Sequence, residues 1–123
     1  MDQSTADLKN TITLRACVVA AVGLNEAYVL AIIERLSETG PVIHNSGRRW
    51  VSLPVKHLAA EMRPLGEIVA YRALTSLCGA GVIDSCRGAA LGTPKGLGHL
   101  QMAYSVDPMQ LMVLEEAYAA PAI

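Results

Sequence analysis

Apolar residues recur at helical spacing in three stretches of the chain and alternate at strand spacing in another. In LNEAYVLAIIERLSETG, Val29, Ile32, Ile33 and Leu36 form one stripe, Glu26, Glu34, Arg35 and Glu38 fill the wet face, and Gly40-Pro41 stops the helix. In VSLPVKHLAAEM, Val55, Leu58, Ala59 and Met62 fall at i, i+3, i+4 and i+7. Ser52 is the expected N-cap there, Pro54 lies in the first turn, and Lys56, His57 and Glu61 face out. In LGEIVAYRALTSLCGAG the repeat is Ala70, Ala73, Leu74 and Leu77, and Gly79 and Gly81 supply a left-handed end. Only Arg63-Pro64-Leu65-Gly66 separates these last two helices, which forces them to cross steeply. A further short helix is expected between Ile12 and Val22. Val82 to Ser85 and Gln101 to Val106 read as strands, the second alternating Met102, Tyr104 and Val106 against Gln101, Ala103 and Ser105. Gly47 to Val51 is a short strand after a turn at Asn45-Ser46-Gly47, expected at the edge of that hairpin with Trp50 capping the core. Asp107-Pro108-Met109-Gln110 opens a last helix, with Asp107 as N-cap, Pro108 at N1 and Gln110 placed for a capping box.

Helix, strand, two helices across a tight turn, strand, glycine-rich basic loop and strand is the order of a winged helix-turn-helix. The expected fold class is therefore α+β, mostly α, with an extra N-terminal helix and a C-terminal helix. Residues 1–10 are expected as a flexible N-terminus, 11–107 as the domain, and 108–123 as a C-terminal helix for dimerisation or a partner. In such a fold the second helix of the pair enters the major groove. Opposite its apolar stripe lie Ile68, Arg72 and Thr75, with Tyr71 and Ser76 at the edges. Arg72 suits a bidentate contact to guanine, Thr75 a base or a phosphate, and Ile68 a thymine methyl. The same residues also compose an ordinary solvated face, and an outward Ile serves a protein partner equally well, so the pattern leaves these readings open. The loop from Arg87 to His99 sets Arg87, Lys95 and His99 among glycines, suited to a phosphate or a minor groove, or simply to a hairpin tip without a ligand. Gly92-Thr93-Pro94-Lys95 lacks the Gly-Lys-Ser/Thr and the strand-to-helix setting of a nucleotide loop.

Composition narrows the field. With 123 residues and 52% hydrophobic content the chain is long enough for one core, and with one Trp, four Tyr and no Phe that core is aliphatic. An aromatic platform for single-stranded nucleic acid is correspondingly disfavoured. The net charge is −1, but residues 41–106 hold seven Lys/Arg against three acids, +4, while residues 1–40 carry −2 and 107–123 carry −3. That asymmetry favours a polyanion at the middle segment, with weak, salt-sensitive affinity. Arg48, Arg49, Lys56, Arg63, Arg87 and Lys95 are the candidate phosphate contacts, plain surface solvation being the alternative for Arg48 and Arg49. Cys17, Cys78 and Cys86 form no CxxC pair and suit reduced thiols of the cytoplasm. His44, His57 and His99 join no Cys or acidic cluster, so no metal or cofactor is expected. The apolar run Cys17 to Leu24 is too short to span a bilayer. No nucleophile stands in a recognisable setting, and Glu115 and Glu116 are helix neighbours that point apart, so no catalytic residue and no enzyme is expected. In the last helix Met109, Met112 and Val113 lie on one side and Leu111, Leu114 and Tyr118 on another. Apolar residues on two sides point to a homodimer or partner helix using Met109, Met112, Val113 and Leu114, or to one that folds back on the first helix.

Ile12-Thr13-Leu14-Arg15-Ala16-Cys17, Val22-Gly23-Leu24-Asn25-Glu26-Ala27, Gly47-Arg48-Arg49-Trp50-Val51, Pro64-Leu65, Arg72-Ala73-Leu74-Thr75-Ser76-Leu77 with Gly81-Val82-Ile83, and Tyr104-Ser105-Val106-Asp107 follow one another in order. Their sequence and spacing, over residues 11–107, resembles the GLNEA-type winged-helix DNA-binding proteins of phages and of integrative or plasmid elements, similar to replication initiators and replisome organisers. The resemblance implies a domain that binds double-stranded DNA in the replication, partition or transcription of a mobile element, with a replication or host protein as a further partner. Val29-Leu30-Ala31 and Glu34-Arg35 replace the family's glutamines and aromatic pair, and Pro64-Leu65 replaces an aromatic turn, which bears on partner contacts more than on fold. The competing expectation is a winged-helix interaction module, an inhibitor or adaptor of a host nucleic-acid machine, binding through Ile68, Val69, Tyr71 and the Met-rich last helix.

Overall fold

Two helices open the described chain, α1 (Ala16–Ala21) and α2 (Leu24–Thr39), and the second is the pillar of the molecule. The computed structural model describes residues 12–93 and 100–120. Val29, Ile32 and Ile33 of the predicted stripe are buried, and so are Ala27 and Leu30 on its flanks. Burial spreads around α2 because α1, the helix pair and the sheet all pack on it. The chain then forms β1 (Ile43–Asn45), β2 (Arg48–Ser52), α3 (Val55–Glu61), α4 (Glu67–Gly79), β3 (Ile83–Arg87), a 3-10 turn at Gly88–Leu91, β4 (Met102–Val106) and α5 (Pro108–Ala119). This is an α+β architecture. Its four strands make one antiparallel sheet in the order β1-β2-β4-β3.

Register fixes which residues share a face of that sheet. Val51 lies opposite Tyr104 and Tyr104 opposite Ser85, so this side, with buried Val51 and Tyr104, is the one the helices cover. Asp84, Ala103 and Ser105 point the other way, together with Arg48 and Trp50. The alternation expected in β4 is correspondingly incomplete, since Ala103 and Ser105 are as buried as Tyr104.

Several expectations are corrected. Ser52 does not cap α3: it ends β2, where its hydroxyl donates to Gln101 Oε1 at 2.9 Å, and Pro54, extended at ψ 142°, stands at the helix start. The strand at 48–52 pairs with β4 at the edge of the β3–β4 hairpin as expected, but Ile43–Asn45 adds a further strand beyond it, through a turn in which Ser46 (φ 51°) and Gly47 (φ 75°) are both left-handed. The first helix is shorter than Ile12 to Val22. At the end of α4, Gly79 is still helical and Gly81 alone takes the left-handed conformation (φ 76°), letting the Val82 amide reach the Leu77 carbonyl. Asp107 caps α5 by accepting from the amides of Met109 and Gln110, but no capping box closes. Gln110 instead donates its side-chain amide to the Ala80 carbonyl at 3.0 Å, tying α5 to the end of α4. Pro94, Lys95 and His99, the expected basic loop tip, lie outside the described residues.

Arg15 completes the frame. Its guanidinium, on the residue before α1, bonds Glu34 of α2 and Glu115 of α5, each at 2.7 Å. The hydrogen bond to Glu34 is the main reason its pKa lies above the ordinary arginine value. Among the described residues, no helix is long and apolar enough to cross a membrane.

Truncating fully buried Leu30 to Ala should cost about 2–5 kcal/mol of unfolding free energy. Asp107→Ala should cost roughly 1 kcal/mol through loss of the cap. Urea denaturation of both variants, read as a shift in midpoint at constant slope, checks the order of the two effects.

Candidate functional site

α4 packs on α2 through Ala70, Ala73, Leu74 and Leu77, all buried, and these four positions determine what the rest of the helix presents. Ile68, Tyr71, Arg72, Thr75 and Ser76 are all exposed, Ile68 at 70% and Tyr71 at 62%. Val69 behaves differently. It is half-buried against the core, which removes it from the outward surface assigned to it in the protein-binding reading. The Thr75 hydroxyl donates to the Tyr71 carbonyl at 3.0 Å, so Thr75 offers acceptor lone pairs and a methyl rather than a free donor.

Beside this face runs an open groove of about 390 Å³ lined by Val55 at the start of α3 and by Glu67, Ile68, Tyr71 and Arg72 of α4. Sequence reasoning named neither Val55 nor Glu67 as part of it. Val55 belongs to the apolar stripe of α3 by spacing, yet at the first position of that helix it is only half-buried and lines the groove. Glu67, next to Ile68 in the first turn, is the one acidic member, placed favourably at the positive end of the helix dipole.

The described arginines and lysines divide into two groups. Arg15, Arg35 and Arg48 are in ion pairs with acids of the same chain. Arg48 crosses the outer face of the sheet to Asp84, donates to the carbonyls of Ser105 and Val106 at 3.3 and 3.2 Å, and sits 5.2 Å above the Trp50 ring. These contacts engage its guanidinium within the sheet. Trp50 lies under it at 9% exposure, on the face away from the main core. Arg49, Lys56, Arg63, Arg72 and Arg87 form no ion pair among the described residues.

Four of these five lie on α4, in the turn before it, or on elements that contact it. Arg87, at the end of β3, lies opposite Met102, whose carbonyl accepts the Leu53 amide just ahead of α3. Leu53 thus ties the loop end of that hairpin to the start of α3, and Lys56 lies on the first turn of α3, beside Val55 of the groove that Arg72 lines. Arg63 occupies the turn leading into α4. Arg49 is at the other end of β2, opposite His44, and does not join the group.

On α5, Met109, Met112 and Val113 are exposed, while Leu114 is half-buried beside Leu111 against the core, as α5 folds back on α1. No described group of three or more His, Cys, Asp or Glu residues is placed to hold a metal ion. Comparison of the chain with protein-family models, curated proteins and solved structures finds no match.

The two kinds of arginine should separate by experiment. Arg48→Ala removes an ion pair, two carbonyl bonds and a ring contact and should lower stability by roughly 1–2 kcal/mol. Arg72→Ala, on an exposed face, should stay within about 0.5 kcal/mol of the parent. Denaturation midpoints of the two variants check this.

Proposed function

We propose that the chain is a winged helix-turn-helix protein that binds double-stranded DNA, with α4 as the helix that enters the major groove. The observation that carries this reading is that Arg72 stands on the exposed side of a helix whose other side is buried, while Lys56, Arg63 and Arg87, on α3, on the turn before α4 and on β3, are likewise in no ion pair among the described residues. Two further features support it. Helix, two short strands, two helices, strand and strand follow in order from α2 to β4, with β4 between β2 and β3, an order compatible with a hairpin beside a recognition helix. The ordered resemblance of residues 11–107 to DNA-binding proteins of phages and plasmids adds a biological setting: replication, partition or transcription of a mobile element.

In this reading Arg72 contacts a base edge, and Lys56, Arg63 and Arg87 neutralise phosphates. Binding is reversible association without a chemical step. The few cations make it modest in strength and strongly dependent on ionic strength.

A second reading has a specific observation behind it. Ile68 and Tyr71 are large, apolar and highly exposed on the same helix, as a protein-docking face would have them. Salt separates the two. Three or four neutralised phosphates predict a slope of log K against log salt of about −2.7 to −3.6, a loss of roughly 40- to 150-fold between 50 and 200 mM. Arg87→Ala should reduce that slope by about one. Fluorescence anisotropy with labelled duplex of mixed sequence measures both. Absence of binding at low salt contradicts the DNA reading and leaves the protein-docking one.

A further inference from the structure

Resting on α4 as the groove-reading helix, we infer that the face recognises thymine methyl groups beside a single guanine, with Ile68 as the methyl-reading side chain. The outward stripe is short of polar donors. Arg72 is its one cation, the Thr75 hydroxyl proton is taken by the Tyr71 carbonyl, and Ile68 and Tyr71 are large and highly exposed. A major groove presents one apolar feature that such a surface can tell apart, the 5-methyl of thymine, and one that suits Arg72, the O6 and N7 acceptors of guanine.

Ile68 is available for that contact. It is 70% exposed and lines an open groove with Arg72, one helical turn away on the same side. Four residues of helix rise about 6 Å. Base pairs stack about 3.4 Å apart. The methyl that Ile68 meets therefore lies within about two base pairs of the guanine that Arg72 reads. Glu67, in the first turn beside Ile68, disfavours a phosphate there and leaves that end of the helix to base edges. The surrounding cations, Lys56, Arg63 and Arg87, set the depth and register of the helix by holding phosphates on either side.

The test uses the purified full chain and duplexes recovered by selection from random sequence. In the best-bound duplex, each thymine near the essential guanine is replaced by deoxyuridine, which removes only the methyl. The parent protein should lose about fourfold in affinity at one or two such positions, the effect of one buried methyl-sized group. Ile68→Ala should bind the thymine duplex about fourfold more weakly and be indifferent to deoxyuridine at the same positions. Because the probe itself is altered, the parent measurement stands even if the variant folds poorly. Binding that depends on Arg72 and the guanine but is unchanged by deoxyuridine everywhere overturns this inference and leaves the DNA reading intact. A deoxyuridine effect that persists undiminished in Ile68→Ala overturns the assignment to Ile68. No duplex binding at any salt overturns both this inference and the reading beneath it.

Discussion

The seam between α4 and α2 is the constraint on which everything else depends. Two of its four contacts on the α4 side are alanines, Ala70 and Ala73, and small side chains let the helices approach closely while Leu74 and Leu77 fill the space beyond. Once that side is locked, helical geometry leaves Ile68, Tyr71, Arg72, Thr75 and Ser76 no direction but outward. The α2 side of the seam is equally committed, because α2 is enclosed by α1, the helix pair and the sheet, and Arg15 clamps it to α5 by ion pairs at 2.7 Å. The presented face is therefore held by the part of the molecule least able to move.

Charge follows the same division of labour. Acids and bases that stabilise the frame are paired with each other: Arg15 with Glu34 and Glu115, Arg35 with Glu61, Arg48 with Asp84. Those pairs are partly exposed, so each stabilises only modestly, and their larger effect is to consume cations that would otherwise compete for a ligand. Among the described residues, four of the five cations in no ion pair lie on α4, in the turn before it or on elements that contact it. A net charge of −1 for the chain is thus compatible with a positive working surface.

Much of this was legible in the sequence, and what was not has identifiable causes. The stripes of α2 and α4, the exposed set on α4 and the Asp107 cap are local patterns, written within a few turns of helix, and periodicity reads them directly. The errors lie where a partner is distant along the chain. Nothing near Arg48 announces Asp84 or the carbonyls of Ser105 and Val106, which lie 36 to 58 residues away. Gln110 was read as a capping residue because that is its local chemistry, and the Ala80 carbonyl, 30 residues back, wins it. β1 has three residues, too few for an alternation to register, and Ser52 lost its capping role to strand pairing with β4. Apolar residues on two sides of α5 left open whether it folds back, and its packing onto α1 through the side of Leu111 and Leu114 is a contact between distant segments that local spacing does not decide.

The account stands or falls on whether the α4 face is where a duplex makes contact. Nuclear magnetic resonance titration of the isotopically labelled chain with short duplex DNA at low salt reads this residue by residue. The largest amide shifts are expected from Ile68 to Ser76 and at Lys56, Arg63 and Arg87, with α5 and the sheet face around Arg48 unchanged. Shifts centred on Met109 to Val113 or on the Arg48–Trp50 face, with α4 silent, would contradict it.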